Sequence, residues 1–142
     1  MKDVVIIGGG KIGSAIALML ADSGAYKITV ADRNEAQLAS IDRHPAISTA
    51  VVDISDKASL DAALTGKFAV LSAAPFHLTG AIAESAARTG THYLDLTEDV
   101  ATTRKVEQLA KNAKTAFIPQ CGLAPGFISI VANDLTRHFD TL

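Results

Sequence analysis

The sequence predicts an α/β fold in which a doubly wound, parallel, six-stranded sheet carries helices on both faces. Three observations support this. Apolar, β-branched runs alternate with helix-period segments along all 142 residues, with no repeat, low-complexity tract or linker. The runs are continuously apolar, as strands buried on both faces are. The first turn, after Val4-Val5-Ile6-Ile7, holds Gly8, Gly10 and Gly13 in G-x-G-x-x-G spacing. Right-handed crossovers in two βαβαβ halves then give the strand order 3-2-1-4-5-6, a Rossmann fold.

Val4 to Ile7 opens the sheet. A helix follows from Lys11 to about Ser23, with Ile12, Ile16, Met19 and Leu20 at buried-face spacing and Gly24 as a left-handed stop. Lys27 to Ala31 is the second strand. Asn34 and Gln37 have capping-box-like spacing for a helix from Glu35 to about Ile41, ended near Pro45. Ile47 to Val52 is the third strand, and Ser55 or Asp56 opens a helix stopped at Gly66. Phe68 to Ser72 is the fourth strand, and Thr79 to Thr89 a helix ending at Gly90. Thr91 to Leu96 is the fifth strand, Asp99 to about Lys111 a helix, and Thr115 to Ile118 the sixth strand. The last helix begins at Pro125, a residue favoured at the first helical position. Its Ile128, Val131, Ala132 and Leu135 share one face, expected to pack on the sheet. Because the chain stops as that helix finishes, residues 1–142 read as one dinucleotide-binding domain whose second, substrate and dimerisation domain is absent.

Composition narrows the function. A hydrophobic content of 49% with only 5% aromatic residues suits Val-, Ile- and Ala-rich layers. A net charge of −2 supplies no basic field, so no nucleic-acid partner is expected. One cysteine, Cys121, excludes a disulfide framework and a Cys-based metal cluster, and no ligand spacing suggests a metal. No apolar run approaches the ~20 residues of a membrane span. A strand beginning at Val4 leaves no room for a signal peptide, so a cytoplasmic location is expected.

The glycine segment has a steric and electrostatic logic. Gly8 permits the tight turn, Gly10 lets backbone approach a pyrophosphate, and Gly13 lets helix and strand pack closely. Lys11 and Ile12 complete the first helical turn, whose free N–H groups and positive dipole end suit phosphates. Asp32 ends the second strand about 20 residues beyond the glycines, placed to accept from ribose hydroxyls. Its charge opposes a 2′-phosphate, so NAD is the expected cofactor. Arg33 beside it keeps NADP possible. Asp53 and Ile54, in VVDISD, lie where the adenine ring would rest, although Asp53 also suits a helix cap. Ala73, Ala74 and Pro75 leave the fourth strand with small side chains that bring backbone close to the cofactor. In HYLDLTED, the carboxylates Asp95, Glu98 and Asp99 leave the fifth strand, where an acid can meet a cationic substrate, and one of them suits a helix cap. Asp95 and His77 are the catalytic candidates; His92 reads as structural. Cys121 has no flanking base and reads as a small buried thiol beside the nicotinamide.

Taken in order, GGGKIG, ADRN, VVDISD, SAAP, HYLDLTED and CGLAPG resemble the N-terminal nucleotide-binding domain of the saccharopine dehydrogenase-like family over essentially the whole chain. Many families share the glycine motif, whereas the strand-five acids followed by C-G-x-A-P-G are far more specific. Members include saccharopine reductases and lysine 6-dehydrogenases, which move hydride between NAD(P) and a carbon–nitrogen bond of an amino-acid-derived amine or imine. The resemblance implies that Gly8, Gly10, Gly13, Asp32, Asp53 and Ala73 to Pro75 bind cofactor. It also implies that Asp95 and the loop from Cys121 to Gly126 border a small amine or amino-acid substrate, and that the whole protein is a homodimer. The family often has Gly before the strand-five acid, where this chain has Thr97 before Glu98. The competing class is a non-catalytic nucleotide sensor, such as the regulatory Rossmann domain of potassium transport systems. A sensor has no use for the acid cluster or the C-G-L-A-P-G turn. A short-chain reductase would need other glycine spacing and a Y-x-x-x-K pair, which does not occur.

Overall fold

β1 (Lys2–Ile7) is the spine of the sheet, because its β-branched run is buried on both faces and paired along both edges. Its neighbours are β2 (Tyr26–Asp32) and β4 (Ala69–Ser72), flanked outward by β3 (Ile47–Val51), β5 (His92–Asp95) and β6 (Phe117–Ile118). All pairs are parallel and the order is β3-β2-β1-β4-β5-β6, as the alternating pattern predicts. The structure, a computed structural model, describes residues 1–139.

The two-residue period of a strand divides the core in two. Val4, Ile6, Ile28 and Val30 face one way, onto α1 (Lys11–Asp22) through Ala17 and Ala21 and onto α2 (Glu35–Ala39) through Leu38. Val5, Ile7, Val70 and Tyr93 face the other way, onto Leu60 and Leu64 of α3 (Lys57–Leu64), Ile82, Ala83 and Ala86 of α4 (Phe76–Thr89) and Val106 of α5 (Val100–Ala110). Full burial of a side chain such as Ile6 or Ile28 contributes about 1.5–3 kcal/mol, and truncation to Ala costs about 2–5 kcal/mol.

Three expectations need correction. In α1 the buried face is Gly13, Ala17 and Ala21, while Ile12 and Met19 are 60% and 73% exposed. Small residues win because Gly13 must lie against the glycine turn, and that contact fixes the helix rotation. α4 begins at Phe76, a turn before Thr79; its N-cap, Pro75, offers no capping side chain, so no start signal exists in the sequence. Most consequential is α6 (Phe127–Thr136), which starts after Pro125 because Gly126 holds φ at +126°. It buries none of its residues, and Phe127, Ile128, Ile130 and Leu135 are all more than half exposed. Phe127 and Ile128 donate backward to the carbonyls of Gly122 and Leu123, a turn closed on itself that does not lay the helix on the sheet. Among the described residues, no helix is long and apolar enough to cross a membrane, and no group of three or more His, Cys, Asp or Glu is placed to hold a metal.

Candidate functional site

Parallel register aligns the strand exits: Ile7 pairs with Ala31 and Ser72, Asp32 with Val51, and Ser72 with Asp95. The chain reverses its winding between β1 and β4, and ligands bind at such switch points, beyond the carboxyl ends of strands. Two cavities open there.

The first, about 460 Å³, is floored by the glycine turn. Gly8 holds φ at +113°, and a Cβ there would lie 2.8 Å from the Ala73 carbonyl oxygen. A Cβ on Gly13 would run into the Gly8 carbonyl, whereas one on Gly10 would meet nothing within 4 Å. Gly10 is also the N-cap of α1 and supplies no side-chain acceptor, so the orphan N–H groups of the first turn are left for a ligand. Asp32 clamps this turn from β2. Its Oδ2 accepts from the Gly9 N–H at 2.7 Å and its Oδ1 from the Asn34 N–H at 2.9 Å. Asn34 in turn caps α2 by accepting from Ala36 and Gln37. Asp32 thus satisfies the Asn34 N–H that a capping box would leave to the Gln37 side chain.

Arg33, Asp53, Ile54, Ala74 and Pro75 line the same cavity, together with Asn34, Gln37 and Ser55, which the sequence reading did not assign to a site. Asp53 Oδ1 accepts from both the hydroxyl and the backbone N–H of Ser55, at 2.7 and 2.9 Å. Those bonds, helped by nearby Arg33, hold its carboxyl below the ordinary range. The helix-cap role considered for Asp53 belongs to Asp56, whose Oδ1 accepts from Ala58 at the start of α3. Lys11 is exposed on the first turn of α1, Gly13 lies beneath the turn, and Ile12 faces the other cavity. His77, on the first turn of α4, lines the nucleotide side with its ring edge-on to Phe76 at 5.7 Å.

The second cavity, about 580 Å³, shares the Ala73–Ala74 backbone with the first. Ile12, Phe76, Leu96 and Leu123 make its apolar wall, and Glu98 and Asp99 are its only charged lining residues among the described residues. Asp99 is committed to capping α5: its Oδ2 accepts from the Thr102 N–H at 2.7 Å, and the Thr102 hydroxyl, then this N–H, lower its pKa. Glu98 is exposed and enters none of the side-chain ion pairs among the described residues. Asp95, expected at the substrate, is fully buried. Its Oδ2 accepts from the Tyr93 hydroxyl at 2.8 Å, and its Oδ1 from the N–H groups of Thr97 at 3.0 Å and Gln120 at 3.1 Å. Burial, reinforced by the Asp95 charge and hydrogen bond, pushes the Tyr93 phenol far above its ordinary pKa.

Cys121 is exposed, not buried as expected. Its Sγ donates to the Ile118 carbonyl, and desolvation followed by the Asp95 charge raises its pKa, the reverse of an activated nucleophile. His92 is structural: its Nδ1 accepts from Ala116, tying β5 to the segment entering β6, and its ring rests 4.9 Å from that of Phe68.

The family model described as the saccharopine dehydrogenase NADP binding domain matches residues 4–118. The chain belongs to this family. Over 132 residues it is 28% identical to a saccharopine dehydrogenase [NADP(+), L-glutamate-forming] of Pyricularia oryzae, a match covering 92% of this chain and 29% of that protein. The fold superposes on apo saccharopine dehydrogenase (L-Glu forming) from Saccharomyces cerevisiae with a TM-score of 0.85 at 24% identity, covering 97% of this chain and 31% of that one. A Rossmann-fold NAD(P)-binding family protein from Shigella flexneri aligns with a TM-score of 0.63 at 19% identity, over 84% of this chain and 66% of its own. The chain therefore spans about a third of the length of its saccharopine dehydrogenase relatives.

Membership makes the domain a nicotinamide-nucleotide binder, and the family description favours NADP over the NAD preference drawn from Asp32. The residues present fit such a ligand. The uncapped start of α1 and the open space at Gly10 suit a pyrophosphate, and Arg33 at the cavity wall suits a 2′-phosphate.

Proposed function

We propose that the protein carries out hydride transfer between NADP(H) and a carbon–nitrogen bond of an amino-acid-derived amine or imine of the saccharopine or lysine type. The supporting observation is the pair of cavities joined at Ala73–Ala74, the second with one uncommitted carboxylate, Glu98, and no cationic lining residue among the described residues. When bound, the nicotinamide supplies or takes up the hydride. Gly8, Gly10 and the first turn of α1 hold the pyrophosphate, Asp32 fixes the turn, and Arg33 takes the 2′-phosphate. A carbon–nitrogen bond losing hydride becomes an iminium, and a carboxylate about 4 Å away favours that charge by about 4 kcal/mol at an effective dielectric near 20. Ile12, Phe76 and Leu123 offer apolar surface to the carbon chain of such a substrate.

The exposed apolar face of α6 supports a further part of the reading: a second, substrate and dimerisation domain seats there in a protein of the relatives' length. The decisive experiment is a substrate panel on the full-length protein, read as NADPH formation at alkaline pH. Turnover of lysine, saccharopine or a related secondary amine is expected, and activity confined to hydroxy acids would overturn the assignment. Fluorescence titration of NADH and NADPH tests the cofactor half. Arg33→Ala should weaken NADPH binding by about tenfold, the scale of one charge-assisted phosphate contact, and leave NADH within about twofold. Tighter binding of NADH, with Arg33→Ala silent, would return the decision to Asp32.

A further inference from the structure

We infer that Asp95 is a positioning residue: with Tyr93 it locks together the two loops that wall the second cavity, so that the cavity is built before any ligand arrives. The inference rests on the proposed function, with the nicotinamide reaching past Ala73–Ala74 into that cavity to meet the substrate there. Tyr93 and Asp95 are two residues apart on β5 and so project to the same face of the sheet. Both are fully buried, and the phenol donates to Asp95 Oδ2 at 2.8 Å. The other carboxylate oxygen gathers one N–H from each loop, Thr97 leaving β5 and Gln120 leaving β6. The backbone carbonyl of Asp95 takes a fourth bond, from Cys121 N–H at 2.8 Å.

The loops meet closely, since a Cβ on Gly122 would sit 3.0 Å from the Leu96 carbonyl oxygen. Gln120 adopts a left-handed φ of 62°, unusual for a side-chain-bearing residue, and Asp95 is the acceptor that holds its N–H. Thr97 itself lines the cavity, as do its neighbours Leu96 and Glu98 on one loop and, a few residues beyond Gln120 and Cys121, Leu123 and Ala124 on the other. A carboxylate suits this task because it is acceptor-only and takes three donors at once. Sealed among them, it presents no oxygen to the cavity and works through the loops.

The test uses the 142-residue chain with three variants and two readouts. Amide hydrogen exchange should show Thr97, Gln120 and Cys121 losing protection in Asp95→Ala by about tenfold or more relative to the sheet. Asp95→Asn should restore most of it, because its oxygen still accepts both N–H groups while the Tyr93 hydroxyl turns to accept from the amide. Tyr93→Phe, which keeps the carboxylate and the ring, should fall between them and serves if Asp95→Ala does not fold. The second readout compares NADPH with adenosine 2′,5′-bisphosphate, which lacks the nicotinamide half. Asp95→Ala should weaken NADPH by about tenfold and the bisphosphate by less than about twofold, whereas general loosening of the fold would weaken both alike.

Unchanged protection in Asp95→Ala would overturn the inference. So would equal losses for the two ligands, or an Asp95→Asn variant as impaired as Asp95→Ala, which would make the charge itself the requirement. Failure of the chain to bind either nucleotide would count against the proposed function, and the exchange readout would still decide the role of Asp95.

Discussion

Gly10 and Gly13 differ in what a methyl group would meet, and that difference separates binding from folding. At Gly13 the added carbon collides with the Gly8 carbonyl, a backbone atom that cannot swing away. Gly13→Ala should therefore cost about 1–3 kcal/mol of stability, the range for overpacking. At Gly10 the space is open and φ is an ordinary −72°. Gly10→Ala should leave the melting temperature nearly unchanged while its methyl occupies the path of the pyrophosphate, lowering NADPH affinity by about tenfold or more. Thermal melts paired with fluorescence titrations read the two effects apart. Equal loss of stability in both variants would show that the turn is tight throughout. The Asp32 clamp belongs with these glycines, since it fixes the N–H of Gly9, the one residue between Gly8 and Gly10.

Among the elements, α3 and α4 are joined by a polar tie whose strength depends on pH. Asp61 of α3 accepts from Arg88 Nε at 3.0 Å, from Arg88 Nη2 at 2.6 Å and from the Ser85 hydroxyl at 2.5 Å, all on α4. The Arg88 bond, then the Ser85 bond, lowers its pKa from 3.8 to about 2. A carboxyl depressed in the folded state contributes stability above its unfolded pKa and loses it as pH falls through the folded value. The melting-temperature advantage of the native chain over Asp61→Asn should thus be full at about pH 5, shrink below about pH 4, and vanish below about pH 2. A gap that stayed constant across that range would mean that the ion pair contributes nothing beyond its hydrogen bonds. How much was legible in the sequence follows a similar division by element. The glycine turn and the Asn34 cap rest on local chemistry, which a sequence displays. Strand order follows from the alternating pattern and the handedness of crossovers. The caps at Asp56 and Asp99 were each one of several local candidates that the structure separates. The start of α4 was missed because Pro75 caps it without a side-chain signal. Asp95 was misread because an acid leaving a strand looks the same whether it meets a substrate or a buried phenol. The two-residue spacing to Tyr93 was the available clue. The exposure of α6 was illegible, since an amphipathic stripe records that a face is apolar without saying what covers it.

At the scale of the whole molecule, the two cavities differ in how complete they are. The nucleotide side is enclosed by residues from four strand exits, all within this chain. On the other side, the lining residues Ile12, Phe76 and Leu123 remain 60%, 61% and 73% exposed, so that cavity stands open to water. Hydride transfer needs the reacting carbon held against the nicotinamide and water kept out, and a one-sided cleft provides neither fully. The apolar face of α6 begins at Phe127, a short turn beyond Leu123, so a single cover, such as the proposed second domain, would serve both surfaces. The 142-residue chain is therefore expected to bind NADPH and yet turn over amine substrates at least about 10³-fold more slowly than a protein of the relatives' full length, the scale of lost positioning. Single-turnover kinetics with saturating nucleotide, run on both proteins, measure that ratio directly. A rate for the short chain within about tenfold of the long one would show that the cleft is complete as it stands, and that α6 serves some end other than seating a second domain.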